Sequence, residues 1–362
     1  MAPLPPPPRA AVADAGLTRP DWTKGQPRDP AKLWLDKNEN NDPELSRLVA
    51  QVMRALPAEA YFTYPENAPL YRKLAADLAV KPDQLVLTAG SDGAIRASFE
   101  AYVDPGDTVI HTNPTFAMYA VYARMYGARA VALDYGPSND GPVLAAETLI
   151  EAIARERPKL VGLPNPDSPT GTAFDPETLE RIVAAAAEVG ALMLIDEAYY
   201  PFLPWSALPW IARFPNLVVA RSTGKAWGLA GLRIGFAAAC PELAKILHKV
   251  RPMYEVNTVA VHAFERLLDH TDAMRASVAR LEAGKQAFLA AMRGLGYRTL
   301  AGHGNFLHVA FGARAERVHA ALEPLAYYRR DFAEPALKGF SRFSATTPAL
   351  FQPLIDAVRE AS

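Results

Sequence analysis

The sequence predicts an α/β fold: a mostly parallel sheet of seven strands with helices on both faces, followed by a smaller α+β domain. Three observations predict it. Between about residues 70 and 240, apolar runs of strand length alternate with stretches of helical period, which is the signature of strand–crossover–strand units. After Cys240 this regular alternation gives way to helices with widely spaced short strands. The chain is also long enough, at 362 residues of which 50% are hydrophobic, to bury a large core and a second, smaller one.

Taken in order, Gln84–Thr88 is the first strand and Asp92–Tyr102 the helix after it. Strand Thr108–His111, helix Phe116–Tyr126 and strand Ala130–Leu133 follow. Lys159–Leu163 leads to helix Pro176–Val189 and strand Ala191–Ile195; Asn216–Ala220 and Ile234–Ala239 complete the sheet. Beyond it, helices are expected over Pro241–Val250, Val256–Leu268 and Ala273–Leu295. Strand Phe306–Ala310, helix Ala315–Glu323, strand Gly339–Ser344 and helix Pro348–Ala361 end the chain. The expected organisation is a proline-rich arm over residues 1–30, a large domain over 43–249, and a small domain built from 31–42 with 250–362.

The net charge of −1 offers neither a nucleic-acid groove nor an anionic membrane surface as partner. The single cysteine, Cys240, forbids an internal disulfide and suits a reducing cytoplasm. The N-terminal stretch lacks the basic start and apolar run of a secretion signal, and no uncharged segment reaches membrane-spanning length. The seven histidines form no metal-binding cluster of the H-E-x-x-H kind, and no G-x-G-x-x-G follows an early strand, so no metal and no dinucleotide is expected.

In an open parallel sheet, ligands sit beyond the carboxyl ends of the strands. Five segments at those ends carry polar groups. Ser222-Thr-Gly-Lys225-Ala-Trp-Gly-Leu-Ala-Gly-Leu-Arg233 follows strand 216–220. A lysine amine is a nucleophile only when desolvated or set among other cations. Ser222 and Arg233 could hold a phosphate dianion beside it. Asp196, at the end of strand 191–195, is a buried carboxylate that needs a cationic partner, with the Tyr199 phenol three residues on. Gly90-Ser91-Asp92 is a glycine turn opening a helix, whose amides suit a phosphate; Asp92 also reads as an ordinary N-cap. Phe116, after strand 108–111, reads by itself as a core residue. Asn165-Pro-Asp-Ser168-Pro-Thr-Gly171 is a polar turn after strand 159–163.

Together these segments resemble the class I and II aminotransferases of fold type I, which use pyridoxal 5'-phosphate. The resemblance implies that Lys225 holds the cofactor as a Schiff base and that Asp196 keeps its ring nitrogen charged. It further implies that Tyr199 and the position of Ser168 face the phenolic oxygen, that Phe116 stacks on the ring, and that Gly90, Ser91, Asp92, Ser222 and Arg233 bind the phosphate. Ser168 is a departure, since the family carries asparagine there; a shorter donor reaches the oxygen only through water. Asn38 in Lys37-Asn38-Glu39-Asn40, Tyr64-Pro-Glu66, Arg330-Asp331 and Arg342-Phe-Ser-Ala-Thr-Thr-Pro348 are similar to the histidinol-phosphate aminotransferase branch. That branch implies a homodimer in which Tyr64 reaches the neighbouring site, and a substrate held by Asn38, Arg342 and Arg330. The expected reaction moves an amino group between a histidinol-phosphate-like or aromatic amine and a 2-oxo acid such as 2-oxoglutarate. A decarboxylase of the O-phosphothreonine type, a lyase or an oxidase on the same scaffold is the competing expectation.

Overall fold

The computed structural model describes residues 6–18, 22–330 and 332–362. Residues 1–5 and 19–21 of the arm, and Asp331, lie outside the described residues. The strands are β1 (Leu33–Trp34), β2 (Leu85–Thr88), β3 (Thr108–Asn113), β4 (Arg129–Asp134), β5 (Leu160–Pro164) and β6 (Leu192–Asp196), then β7 (Leu217–Ser222), β8 (Gly235–Ala238), β9 (Arg298–Leu300), β10 (Phe306–Ala310), β11 (Ala326–Tyr327) and β12 (Ser341–Ser344). Seven of them form the main sheet in the order β2-β8-β7-β6-β5-β3-β4, parallel throughout except for β8, which runs antiparallel to both neighbours. The expected sheet is therefore present. Its inner strands β5, β6 and most of β7 are buried along their length because helices cover both faces.

Strand direction decides where the chemistry sits. Thr88, Asn113, Pro164, Asp196 and Ser222 are the last residues of parallel strands, so they share one edge of the sheet. Because β8 runs the other way, its first residue, Gly235, lies at that edge too, opposite Thr88 and Ser222. A Cβ at Gly235 would meet the Gly90 backbone at 2.6 Å, so only glycine lets the turn after β2 pack against β8.

Two differences from the sequence reading have plain causes. The helix Ala146–Glu156, between β4 and β5, was not anticipated. Its preceding loop is rich in Gly, Pro, Ser and Asp, and the loop signal obscured the apolar stripe of Leu149, Ala152 and Ile153 behind it. The helix Thr258–Leu267 was placed in the small domain beginning at residue 250. It packs Val261, Phe264 and Leu267 into the large core instead, and the helix Thr271–Gly294 carries the chain from one core to the other.

The small core gathers Phe288, Leu307, Phe343 and Phe351 around the sheet β12-β10-β9. The segment before residue 43 is woven into it. β1 pairs with β11, the Leu35 amide donates to the Tyr327 carbonyl at 2.8 Å, and the Ser344 amide donates to the Leu35 carbonyl at 2.8 Å. Within the described part of the arm, a one-turn helix Ala10–Ala13 lies exposed, whereas Arg28 is firmly held by Asp36 and Glu39.

Candidate active site

A cavity of about 490 Å³ opens at the carboxyl edge of the main sheet, between the two cores. Of the residues proposed from sequence, Asn38, Gly90, Ser91, Asp92, Phe116, Ser168, Asp196, Tyr199, Ser222, Lys225, Arg233 and Arg342 all line it. They come from seven separate segments, and strand direction alone brings most of them together.

Lys225 reaches the cavity from the loop after β7. Its Nζ donates to the Lys37 carbonyl at 2.8 Å. Burial pushes this amine down to about 8, and the cations Arg342 and Arg233 push the same way against Glu39 and Asp196. The neutral form, though still the minority near pH 7, is then far more populated than in an ordinary lysine, which favours a nucleophile and proton acceptor.

Asp196 is 4% exposed and accepts from the Ala198 amide at 2.9 Å. Burial, followed by the carboxyls of Asp167, Asp92 and Glu197, raises it to about 7. A site that penalises the carboxylate this strongly calls for a cation, and a protonated ring nitrogen is such a partner. Tyr199 accepts from Asn38 Nδ2 at 2.8 Å, with its ring edge-on to Phe306 at 5.3 Å. Asn38 sits in the left-handed region at φ 55 and is 2% exposed, held by its amide to Ser344 Oγ at 2.8 Å.

The opposite end of the cavity is a cradle for an anion. Gly90 has φ 77, and a Cβ there would stand 3.0 Å from Arg233 Nη2. The glycine therefore opens the start of the helix Gly90–Tyr102 to a ligand, with the guanidinium beside it. Ser222 completes this side of the cavity, its Oγ accepting from the Gly224 amide at 3.1 Å. Helix-terminal amides, a hydroxyl and a guanidinium fit a phosphate. With Lys225 and Asp196 at the other stations, the residues fit pyridoxal 5'-phosphate.

Arg342 lies on β12, 7% exposed, and donates to the Asp36 carbonyl at 2.8 Å and to Ser168 Oγ at 3.4 Å. The second arginine named from sequence, Arg330, sits beside Arg329, and either of the two could be an ordinary exposed arginine; the structure separates them. Arg330 does not line the cavity; it faces Glu323 at 3.9 Å and covers the Tyr328 ring. Its neighbour Arg329 lines the cavity, bridged through its backbone to Arg342. Adjacent residues on an extended segment point to opposite sides, so only one of the two arginines can enter. Tyr64 is 71% exposed and stacks on Tyr254 with ring centroids 4.2 Å apart, outside the cavity of its own chain.

Sequence reasoning missed Asp36, Lys37 and Thr115, which contribute to the wall. It also missed Asp167, a fully buried carboxyl accepting from Thr112 Oγ1 at 2.6 Å, Thr115 Oγ1 at 2.7 Å and Tyr135 at 3.0 Å. These bonds tie the loop bearing Phe116 to the turn bearing Ser168. The carboxylate inside that turn, at a position with no surface role, was the available signal.

Among the described residues no helix is long and apolar enough to cross a membrane. A family model described as aminotransferase class I and II matches residues 30–358. A histidinol-phosphate aminotransferase of Caldanaerobacter subterraneus subsp. tengcongensis is 30% identical over 336 residues, covering 91% of this chain and 93% of that one. One from Roseiflexus castenholzii is 32% identical over 370 residues, covering 95% and 98%. Among solved structures, histidinol-phosphate aminotransferase from Sinorhizobium meliloti in complex with pyridoxal-5'-phosphate superposes with a TM-score of 0.77 at 26% identity, covering 91% of this chain and 90% of that one. An aspartate aminotransferase variant of Thermus thermophilus shares the fold at a TM-score of 0.75 and 22% identity, covering 94% and 100%.

Proposed function

The chain belongs to the class I and II aminotransferase family, and from that premise we propose that it takes the amino group of a phosphorylated, histidinol-phosphate-like amine and passes it to 2-oxoglutarate. It is a pyridoxal-5'-phosphate-dependent aminotransferase. The observation that carries the substrate reading is a single cavity lined by Lys225 and by two groups of cations, Arg233 beside Gly90, and Arg342 beside Arg329, whose guanidinium is paired with Glu334 at 3.2 Å.

When bound, the cofactor supplies an electron sink for the charge left on the substrate carbon after its proton departs. The chain does the rest. Lys225, as the free amine, takes that proton and returns it on the other side of the nitrogen, acting as base and then as acid. Asp196, ionised against the ring nitrogen, keeps the positive charge in place. Tyr199, held by Asn38, and Ser168 would hydrogen-bond the cofactor's hydroxyl, and Phe116 would pack against its ring. Gly90, Ser91, Asp92, Ser222 and Arg233 would hold its phosphate. Arg342 takes the acid group of the 2-oxo acid, and Arg329 replaces Arg330 as the second anion contact. The exposed Tyr61, Phe62, Tyr64, Met253 and Tyr254 are an apolar surface suited to a second copy, through which Tyr64 would reach the neighbouring site. The lone cysteine suits a cytoplasmic setting.

The test is a half-reaction. The loaded protein should absorb at about 420 nm, lose that band on adding histidinol phosphate, and regain it with 2-oxoglutarate. Release of carbon dioxide without reversal would overturn amino transfer in favour of decarboxylation.

Two further outcomes follow from the geometry. Apo protein mixed with pyridoxal phosphate should gain its absorbance faster as pH rises, half-maximally near 8 rather than near the ordinary lysine value, because only the neutral amine attacks. A rate still climbing past pH 10 would contradict the depressed amine. Arg329→Ala should raise KM for the phosphorylated amine about tenfold, one lost charge-assisted contact, while Arg330→Ala should leave it within roughly twofold. Steady-state kinetics on both variants would expose a reversed order.

A further inference from the structure

Three consecutive residues hold three of the side chains on which the proposed chemistry depends. The Asp36 carbonyl accepts from Arg342 Nη2 at 2.8 Å and the Lys37 carbonyl from Lys225 Nζ at 2.8 Å; Asn38 Nδ2 donates to Tyr199 at 2.8 Å. Asp36 also lines the cavity beside Arg342, so a carboxylate of the protein stands close to the cation meant for a carboxylate of the substrate. Arg342 has hydrogen-bonding capacity to spare, since its buried Nε has no partner. An acid at Arg342 thus has a resident rival.

The rival is restrained from outside. Arg28 Nη1 donates to Asp36 Oδ1 at 2.8 Å and to Glu39 Oε2 at 2.8 Å, and Nη2 donates to Glu39 Oε1 at 2.9 Å. The guanidinium carbon lies 4.0 Å from the centroid of the Trp34 ring. Side-chain exposures of 18% for Arg28 and 24% for each carboxylate keep the cluster partly sheltered from screening. A planar fork with a stacked face is a geometry lysine cannot copy.

We propose that Arg28 is a positioning residue that sequesters the Asp36 carboxylate, leaving Arg342 free for the acid group of the substrate. Without Arg28, the Asp36 side chain turns to Arg342 and competes from within the chain, at the high effective concentration of a short tether. The inference rests on the reading of Arg342 as the acid-binding residue, and its test separates the two.

The measurement is the dissociation constant of succinate, an unreactive dicarboxylate, by calorimetry on the cofactor-loaded protein. Arg28→Ala should weaken binding roughly tenfold. The double variant Arg28→Ala with Asp36→Asn should bind within about twofold of wild type, because the competitor is gone. A merely structural role for Arg28 would not be relieved by Asp36→Asn, so a double variant as weak as Arg28→Ala overturns the proposal. Unchanged binding in Arg28→Ala overturns it as well. Arg342→Ala is the separate control: if it binds succinate as wild type does, the acid-binding reading of Arg342 fails, and the inference with it. Loss of binding in Arg342→Ala with full binding in Arg28→Ala sinks the inference alone.

Discussion

Replacing Lys225 with alanine is expected to lower kcat by a factor on the order of 10⁴ or more, since the change removes both the proposed cofactor anchor and the group proposed to carry the proton. The side chain is partly accessible within the cavity and its one described hydrogen bond is to the Lys37 carbonyl, so its loss leaves a single acceptor facing the cavity. The fold should survive: melting temperature and circular dichroism should stay close to wild type while the band at about 420 nm is lost. A small primary amine added to the solution should restore part of the rate, because it supplies the missing base without the tether. A variant that retained more than about one per cent of kcat would show that proton transfer runs through another group.

The second large effect is expected at Asp196. Asp196→Asn keeps the shape and removes the charge, and kcat should fall by about 10²–10³, since an uncompensated buried charge costs about 3–5 kcal/mol. Asparagine should do nearly as badly as alanine, because charge rather than bulk keeps the ring nitrogen protonated. The apo protein supplies a readout independent of turnover. Burial pushes the carboxyl up to about 7 in the folded chain from its ordinary 3.8, so between those values the fold binds a proton that the unfolded chain has released. The resulting destabilisation is absent below the lower value, grows between the two, and is complete above about 7. Apo Asp196→Asn should therefore melt above apo wild type at pH 8, with the gap closing as pH falls towards 4. Equal melting at both pH values would mean that Asp196 is not strained by burial.

Much of the site was legible because the residues that build it follow strands. Lys225, Asp196, Ser168, Phe116 and the Gly90 turn each come just after an apolar run, and a parallel sheet has only one edge at which such positions can meet. The small-domain contributions were less legible. Arg329 and Arg330 differ by one position on an extended segment, and composition says nothing about which of the two faces inward. The hidden helix Ala146–Glu156 shows the same limit, since turn residues before it outweighed its apolar stripe. Asp167 offered only its place inside the turn before Ser168; the convergence of Thr112, Thr115 and Tyr135 on it is visible in the tertiary structure alone.

By itself the amino-acid sequence determined the α/β class, the order of the site segments along the chain, the family and, with it, the cofactor. These depend on local periodicity and on short motifs whose residues are neighbours in sequence. Only the tertiary structure decided which arginine enters the cavity, that Asp36, Lys37 and Asn38 hold Arg342, Lys225 and Tyr199, and that Arg28 restrains Asp36. Those contacts join residues up to 306 positions apart. They arise from strand alternation and from the pairing of β1 with β11, and no local pattern encodes which distant partner a side chain will face.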